Sequence, residues 1–285
     1  MGVQKALRYI LLFAVGFTFA SLFSFYLIIR PTQFFIDRTP EGIGLPSEEV
    51  AFFGADGTRL QSWLIEPPTP TDRVVIILHG YPASRGDVLY TARDLYPDFA
   101  LFLPDLRSFG ESDGRYTTLG VEERRDLIAV LDLLEWRGYK KFGVFGFSLG
   151  GAVGIMTSAM DQRIGAVASY ASFADLRTLG HEAYKNIFVL KYPLVEFLLV
   201  YARILFGESI DDVSPIGSAE HITIPVLLIH SKEDEQISFS HGERLARALS
   251  HNKNAETYFL DRGLHGELPL EFPARLKDFF ERALK

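Results

Sequence analysis

The chain contains no cysteine among its 285 residues. That removes disulfides, thiolate nucleophiles and zinc-thiolate sites from its possible chemistry without naming a compartment. It has no basic stripe, and its formal net charge is -7, so a nucleic-acid partner is not expected. No histidines and carboxylates stand at the His-Glu-x-x-His spacing of a metal-binding helix, so no metal or other cofactor is implied. Internal repeats and low-complexity tracts are missing too, and the sequence points to no particular protein partner. Long apolar runs are scarce: only one is free of charge for the length a bilayer requires, and it lies near the N-terminus.

That run is Ile10 to Ile29. At about 1.5 Å rise per residue it reaches about 30 Å, the thickness of a hydrocarbon core. Lys5 and Arg8 precede it, and Arg30 with Pro31 ends it. A cleavable signal peptide is the rival reading, but its apolar part is shorter and is followed by a small-x-small site. Here Thr18-Phe19-Ala20 lies inside a run that continues through Leu27. An uncleaved single-pass anchor is therefore expected. Lys5, Arg8 and the α-amino group on one side, against Arg30 and Arg38 on the other, lean towards a cytoplasmic N-terminus and a following domain on the non-cytoplasmic side.

Three parts follow: an anchor over residues 1–30, a connector over 31–47 rich in proline and glycine, and a folded domain over 48–285. Glu49–Phe53 and Leu60–Ile65 flank Ala55-Asp56-Gly57 and read as an antiparallel hairpin at a sheet edge. Val74–Leu78 is continuously apolar, as a strand covered on both faces should be. Helices and strands then alternate: helix 87–95, strand 100–103, helix 122–136, strand 142–147, helix 149–160, strand 165–170, strands 225–229 and 257–260, and a closing helix 269–284. This pattern predicts an α/β fold, a mostly parallel central sheet with helices on both faces. One segment, about 173–223, is too long for a turn and is expected to be a helical insertion. Within it, Leu194–Phe206 is apolar around much of a helix, which suits either packing against the core or contact with lipid.

Gly146-Phe147-Ser148-Leu149-Gly150 follows one of these strands and opens a helix of small residues. Glycines on both sides of the serine permit a sharp strand-to-helix turn, and the helix aims its free N–H groups at the site. Serine needs a base to act as a nucleophile, and the base needs an orienting group. Downstream, Asp234 follows the strand ending at Ile229, and His265 follows the strand ending at Leu260; Glu233 and Glu235 are rival carboxylates. Asp105 and Arg107 are expected to brace their loop as an ion pair. His79 is expected to be structural, and His181, His221, His241 and His251 to be solvated.

The order Ser148, Asp234, His265, together with His79-Gly80 after the first central strand and Asp105-Leu106-Arg107-Ser108-Phe109-Gly110-Glu111-Ser112, resembles the α/β-hydrolase superfamily. The resemblance covers about 49–285, and Ser108 stands where that loop has glycine. It implies a Ser148–His265–Asp234 triad, with an oxyanion hole from the backbone N–H groups of Tyr81 and Leu149. The expected protein is a membrane-anchored serine hydrolase with a lid, cleaving a small-molecule or lipid-like carboxylic ester. Thioesters and amides are alternatives, as is a serine peptidase. A non-catalytic membrane-tethered binding protein is the reading from a different class.

Overall fold

A computed structural model describes residues 2–32, 38–211 and 213–285; residues 33–37 of the expected connector lie outside the described residues. The strands are β1 (Glu48–Phe53), β2 (Arg59–Ile65), β3 (Arg73–Leu78), β4 (Ala100–Pro104), β5 (Lys141–Phe147), β6 (Ile164–Tyr170), β7 (Val226–Ser231) and β8 (Ala255–Leu260). They form one sheet in the order β1-β2-β4-β3-β5-β6-β7-β8. β2 runs antiparallel to both β1 and β4, and every other pairing is parallel. The β1–β2 edge hairpin turns at Gly57, whose φ of 81° lies in the left-handed region that glycine enters without penalty.

The two-residue period of each central strand divides its side chains between two cores. Val74, Ile76 and Leu78 face one core, with α3 (Glu123–Trp136) and α4 (Leu149–Met160). Val75 and Ile77 face the other, with α2 (Leu89–Leu95) and α9 (Phe272–Ala283). A strand apolar at every position is thereby covered on both faces, as a parallel sheet requires.

Two parts of the chain lie outside this sandwich. α1 (Gly2–Ile29) is a single helix, long and apolar enough to cross a membrane. The insertion between β6 and β7 holds α5 (Leu176–Ala183), a 3-10 turn (Lys185–Leu190), α6 (Lys191–Phe206) and α7 (Pro215–Ala219), while α8 (Phe239–Ala248) follows β7. Asp175 caps α5 by accepting from Thr178 N–H at 2.7 Å. Gly207, at φ 77°, ends α6.

α1 and α6 pack against each other. Phe25 and Ile29 of α1 share a buried cluster with Leu194, Leu198 and Ala202 of α6 and with Ile210. Each such side chain, fully buried, contributes about 1.5–3 kcal/mol. The register is parallel: Phe17 meets Phe197, Ser21 hydrogen-bonds Tyr201 at 2.9 Å, and Phe25 meets Phe206. Ser24 similarly bonds Tyr184 of the insertion. The last carbonyls of a helix have no intrahelical donor. In α1, that of Ile28 accepts from the Tyr81 hydroxyl and that of Ile29 from Thr117 N–H, both at 2.9 Å.

Candidate active site

β5 ends at Phe147 and α4 starts at Leu149, so Ser148 occupies the turn between them with φ 53° and ψ -115°. That backbone conformation is costly for a residue with a side chain. It is enforced by crowding: a Cβ on Gly146 would lie 2.3 Å from the carbonyl of Gly150, so no larger residue fits there. The bend is also tied to the sheet, because Ser148 N–H donates to Tyr170 O at 2.8 Å. Leu149 is the first residue of α4, where a backbone N–H has no intrahelical acceptor. Across from it, the loop after β3 passes so close that a Cβ on Gly80 would lie 3.1 Å from Ser148 Cβ. Tyr81 follows directly, and Tyr81, Ser148 and Leu149 line one cavity.

His79 holds that loop in place. It is fully buried, and burial lowers its pKa, so the ring is neutral. Nε2 accepts from Leu106 N–H at 2.9 Å, which leaves Nδ1 as the donor to Gly80 O at 2.8 Å. Asp105 and Arg107 do not pair with each other as the sequence led us to expect. Asp105 accepts from the N–H groups of Arg85 and Glu111 and lies 3.3 Å from the Arg85 guanidinium, whereas Arg107 grips Asp126 with two hydrogen bonds of 2.7 Å and also reaches Asp56. Arg85 pairs with Glu49 of β1 as well as with Asp105 and Glu111 of the loop after β4, and the carboxylates on Arg107 arrive from the β1–β2 turn and α3, remote in sequence. Ser108, where glycine was expected, adopts φ 67° nonetheless.

The turn after β7 fixes Asp234 through both oxygens. Oδ1 accepts from the N–H groups of Gln236 and Ile237 at 2.9 and 2.8 Å, and Oδ2 is 2.8 Å from His265 Nδ1. Burial opposes the charge on Asp234. The bonds from His265, Ile237 and Gln236 outweigh it and hold the carboxyl below its ordinary range, so it is ionised at neutral pH. Glu235 takes a different position, accepting from the backbone N–H of His265 at 2.9 Å. The His265 ring lies 4.8 Å from that of Phe147, beside the serine turn, although Ser148 and His265 are not hydrogen-bonded to each other among the described residues. Behind the pair, buried His230 donates to Ile237 O at 2.9 Å, and burial keeps it neutral.

The cavity of about 330 Å³ above Ser148 is apolar and has no charged residue in its lining. Leu176, Leu179 and Tyr184 come from the insertion, Leu198 and Ala202 from α6, and Phe25 and Ile28 from α1. Sequence reasoning missed that α1 is a wall of the cavity. The available signal was Ser21 and Ser24, polar residues three apart on one side of the apolar second half of the helix. It also placed His241 in solvent, whereas the structure buries it: Nδ1 accepts from Ala174 N–H at 2.9 Å and Nε2 lies 3.3 Å from Glu182 of α5.

Residues 73–190 match the family model described as alpha/beta hydrolase fold. The chain is 26% identical over 215 residues to YqkD of Bacillus subtilis, covering 67% of this chain and 70% of the relative. It is 25% identical over 247 residues to YtmA of Bacillus subtilis, described as a peptidase, covering 79% and 90%. Among solved structures, the Pyrococcus furiosus esterase Pf2001 superimposes with a TM-score of 0.76 at 24% identity, covering 91% of this chain and all of that one. The Pyrococcus horikoshii acylaminoacyl peptidase gives 0.66 at 18% identity, covering 85% and 42%. At these identities the likeness to the solved structures is one of fold. The chain is therefore an α/β-hydrolase-fold protein, of the architecture shared by these esterases and peptidases.

Proposed function

We propose that the chain is a membrane-anchored serine hydrolase acting on carboxylic esters with an apolar acyl group. The observation that carries this reading is the Asp234–His265 pair at 2.8 Å, beside a serine held at φ 53° in the floor of an uncharged cavity. Ser148 Oγ attacks the acyl carbon while His265 Nε2 takes its proton. Asp234 keeps the other ring nitrogen protonated and steadies the imidazolium, and the N–H groups of Tyr81 and Leu149 receive the oxyanion. His265 then protonates the leaving alkoxide. Water repeats the attack on the acyl enzyme, with His265 again as base, and releases the acid.

The lining supports an ester over a peptide. A peptide segment placed among Leu176, Leu179, Leu198 and Phe25 would leave its amide groups without partners, whereas an acyl chain needs none. α1 serves as a single-pass anchor, with the catalytic domain on the non-cytoplasmic side. A peptidase reading draws support from the relative described as a peptidase.

The test is covalent labelling of the detergent-solubilised full chain by a fluorophosphonate, followed by hydrolysis assays across ester acyl lengths and aminoacyl amides. We expect the wild type to label, Ser148→Ala and His265→Ala to stay dark, and esters to be cleaved in preference to amides. Preference for the amides would establish the peptidase. A folded wild type that never labels would remove the catalytic reading and leave a membrane-tethered binding protein.

A further inference from the structure

α1 touches α6 from Phe17 onward, so only Gly2–Gly16 projects free of the domain. Fifteen residues at about 1.5 Å each extend about 22 Å, and the part of them within the charge-free run, Ile10–Gly16, only about 10 Å, well short of a hydrocarbon core of about 30 Å. A helix that crosses the bilayer with only this free length must draw the neighbouring part of the domain into the leaflet.

The parallel register identifies that part. Phe197 is level with Phe17, so the first six residues of α6, 191–196, run on by about 9 Å beside the free half of α1. The 3-10 turn lies beyond them. At this leading end Phe188 is 80% exposed, Val189 73% and Tyr192 56%, in a chain whose sheet core is otherwise well covered. Lys185 precedes them and Lys191 stands between Val189 and Tyr192, both with apolar stems long enough to lie at the boundary while the ammonium groups reach headgroup phosphates. Glu196, the acidic residue of this stretch, is paired with Arg177. Because it lies on the free side of Phe17, this projection carries the tip about 9 Å further toward the bilayer than the first α1–α6 contact, and Phe188, Val189 and Tyr192 at its end are side chains that a hydrocarbon phase accepts.

We infer that the Phe188–Tyr192 tip of the lid is inserted into the bilayer leaflet that faces the catalytic domain, alongside α1, with acyl chains as its partner. This rests on the reading of α1 as a membrane-crossing anchor. The tip makes the lid an interfacial element, in the way an amphipathic segment enters the headgroup and acyl boundary to a depth of about 5–10 Å.

The natural absence of cysteine makes the test direct. Val189→Cys, Leu12→Cys in the free half of α1, and Trp136→Cys at the far end of α3 are each labelled with an environment-sensitive fluorophore. The full chain is placed in phosphatidylcholine–phosphatidylglycerol nanodiscs containing acyl-chain quencher lipids. We expect several-fold stronger quenching at Leu12 and Val189 than at Trp136. Quenching at Leu12 with an aqueous signal at Val189 would overturn lid insertion and leave the anchor standing. An aqueous signal at Leu12 would overturn the anchor, and lid insertion with it.

Discussion

The floor and the roof of the cavity are built by different means. The floor is set by the sheet: Ser148 lines the cavity, Asp234 and His265 lie behind its lining, all three follow the ends of β5, β7 and β8, and hydrogen-bonded turns hold their positions. The roof is apolar and comes from α1, α5 and α6, which pack mainly through side-chain burial and a few hydroxyl bonds such as Ser21–Tyr201. A short-range directional network suits the atoms that move protons. Non-directional burial suits a surface that selects a hydrocarbon and that can shift. Directional bonds therefore come from the sheet side, and apolar cover from helices outside it.

Breaking the floor should have the largest effect. Asp234→Asn leaves the turn's geometry in place but removes the charge that orients His265, and kcat should fall by about 10³–10⁴ for every ester, whatever its acyl length. Steady-state kinetics on acetyl and decanoyl esters checks this, and a loss confined to the long ester would contradict it. Breaking the roof should be smaller and selective. Phe25→Ala opens the α1 wall, so kcat/KM for long-chain esters should drop by about tenfold, in line with the 1–3 kcal/mol that apolar pocket contacts supply, while the acetyl ester is unaffected. An equal loss on both would place Phe25 in support of the floor.

The smallest effect concerns acid, and it touches both halves. Burial lowers the pKa of His79 and His230 on the sheet side and of His241, which faces Glu182 of the lid. Each is neutral when folded and takes up a proton more readily when unfolded. The stability they contribute is therefore complete above their unfolded pKa of about 6.5 and is lost as pH falls through that value towards the folded one, by up to about 1.4 kcal/mol per pH unit for each. Melting curves from pH 8 to 5 should show this decline. His241→Gln should make this decline shallower. An unchanged slope would show that the fold leaves the pKa of His241 unshifted.

Much of the architecture is legible in the chain because its signals are local. The continuous run Val74–Leu78 declares a strand covered on both faces, Asp56-Gly57 declares a turn, and strand, Gly-x-Ser-x-Gly and small-residue helix declare a sharp bend at Ser148. Periodicity and backbone sterics act over a few residues, so a few residues suffice to read them. The arginine partnerships were not legible, since Glu49, Asp56 and Asp126 meet Arg85 and Arg107 only after the sheet edge folds over. Neither was the burial of His241, whose polar helix reads as solvent-facing until the insertion closes over it.

By itself, the sequence determined the α/β-hydrolase sheet, the bend that carries Ser148 and an apolar helix of membrane-crossing length, because each depends on spacing along one stretch of chain. The family pattern already favoured Asp234 among three adjacent acidic residues, but only the tertiary structure gives the reason: the turn bonds of Asp234 aim its Oδ2 at the His265 ring and leave Glu235 on the backbone N–H. It also decided that α1 is a wall of the cavity as well as an apolar helix. That role depends on a register with α6 about 180 residues away, and packing at such a distance follows from shape and burial, which no local pattern encodes.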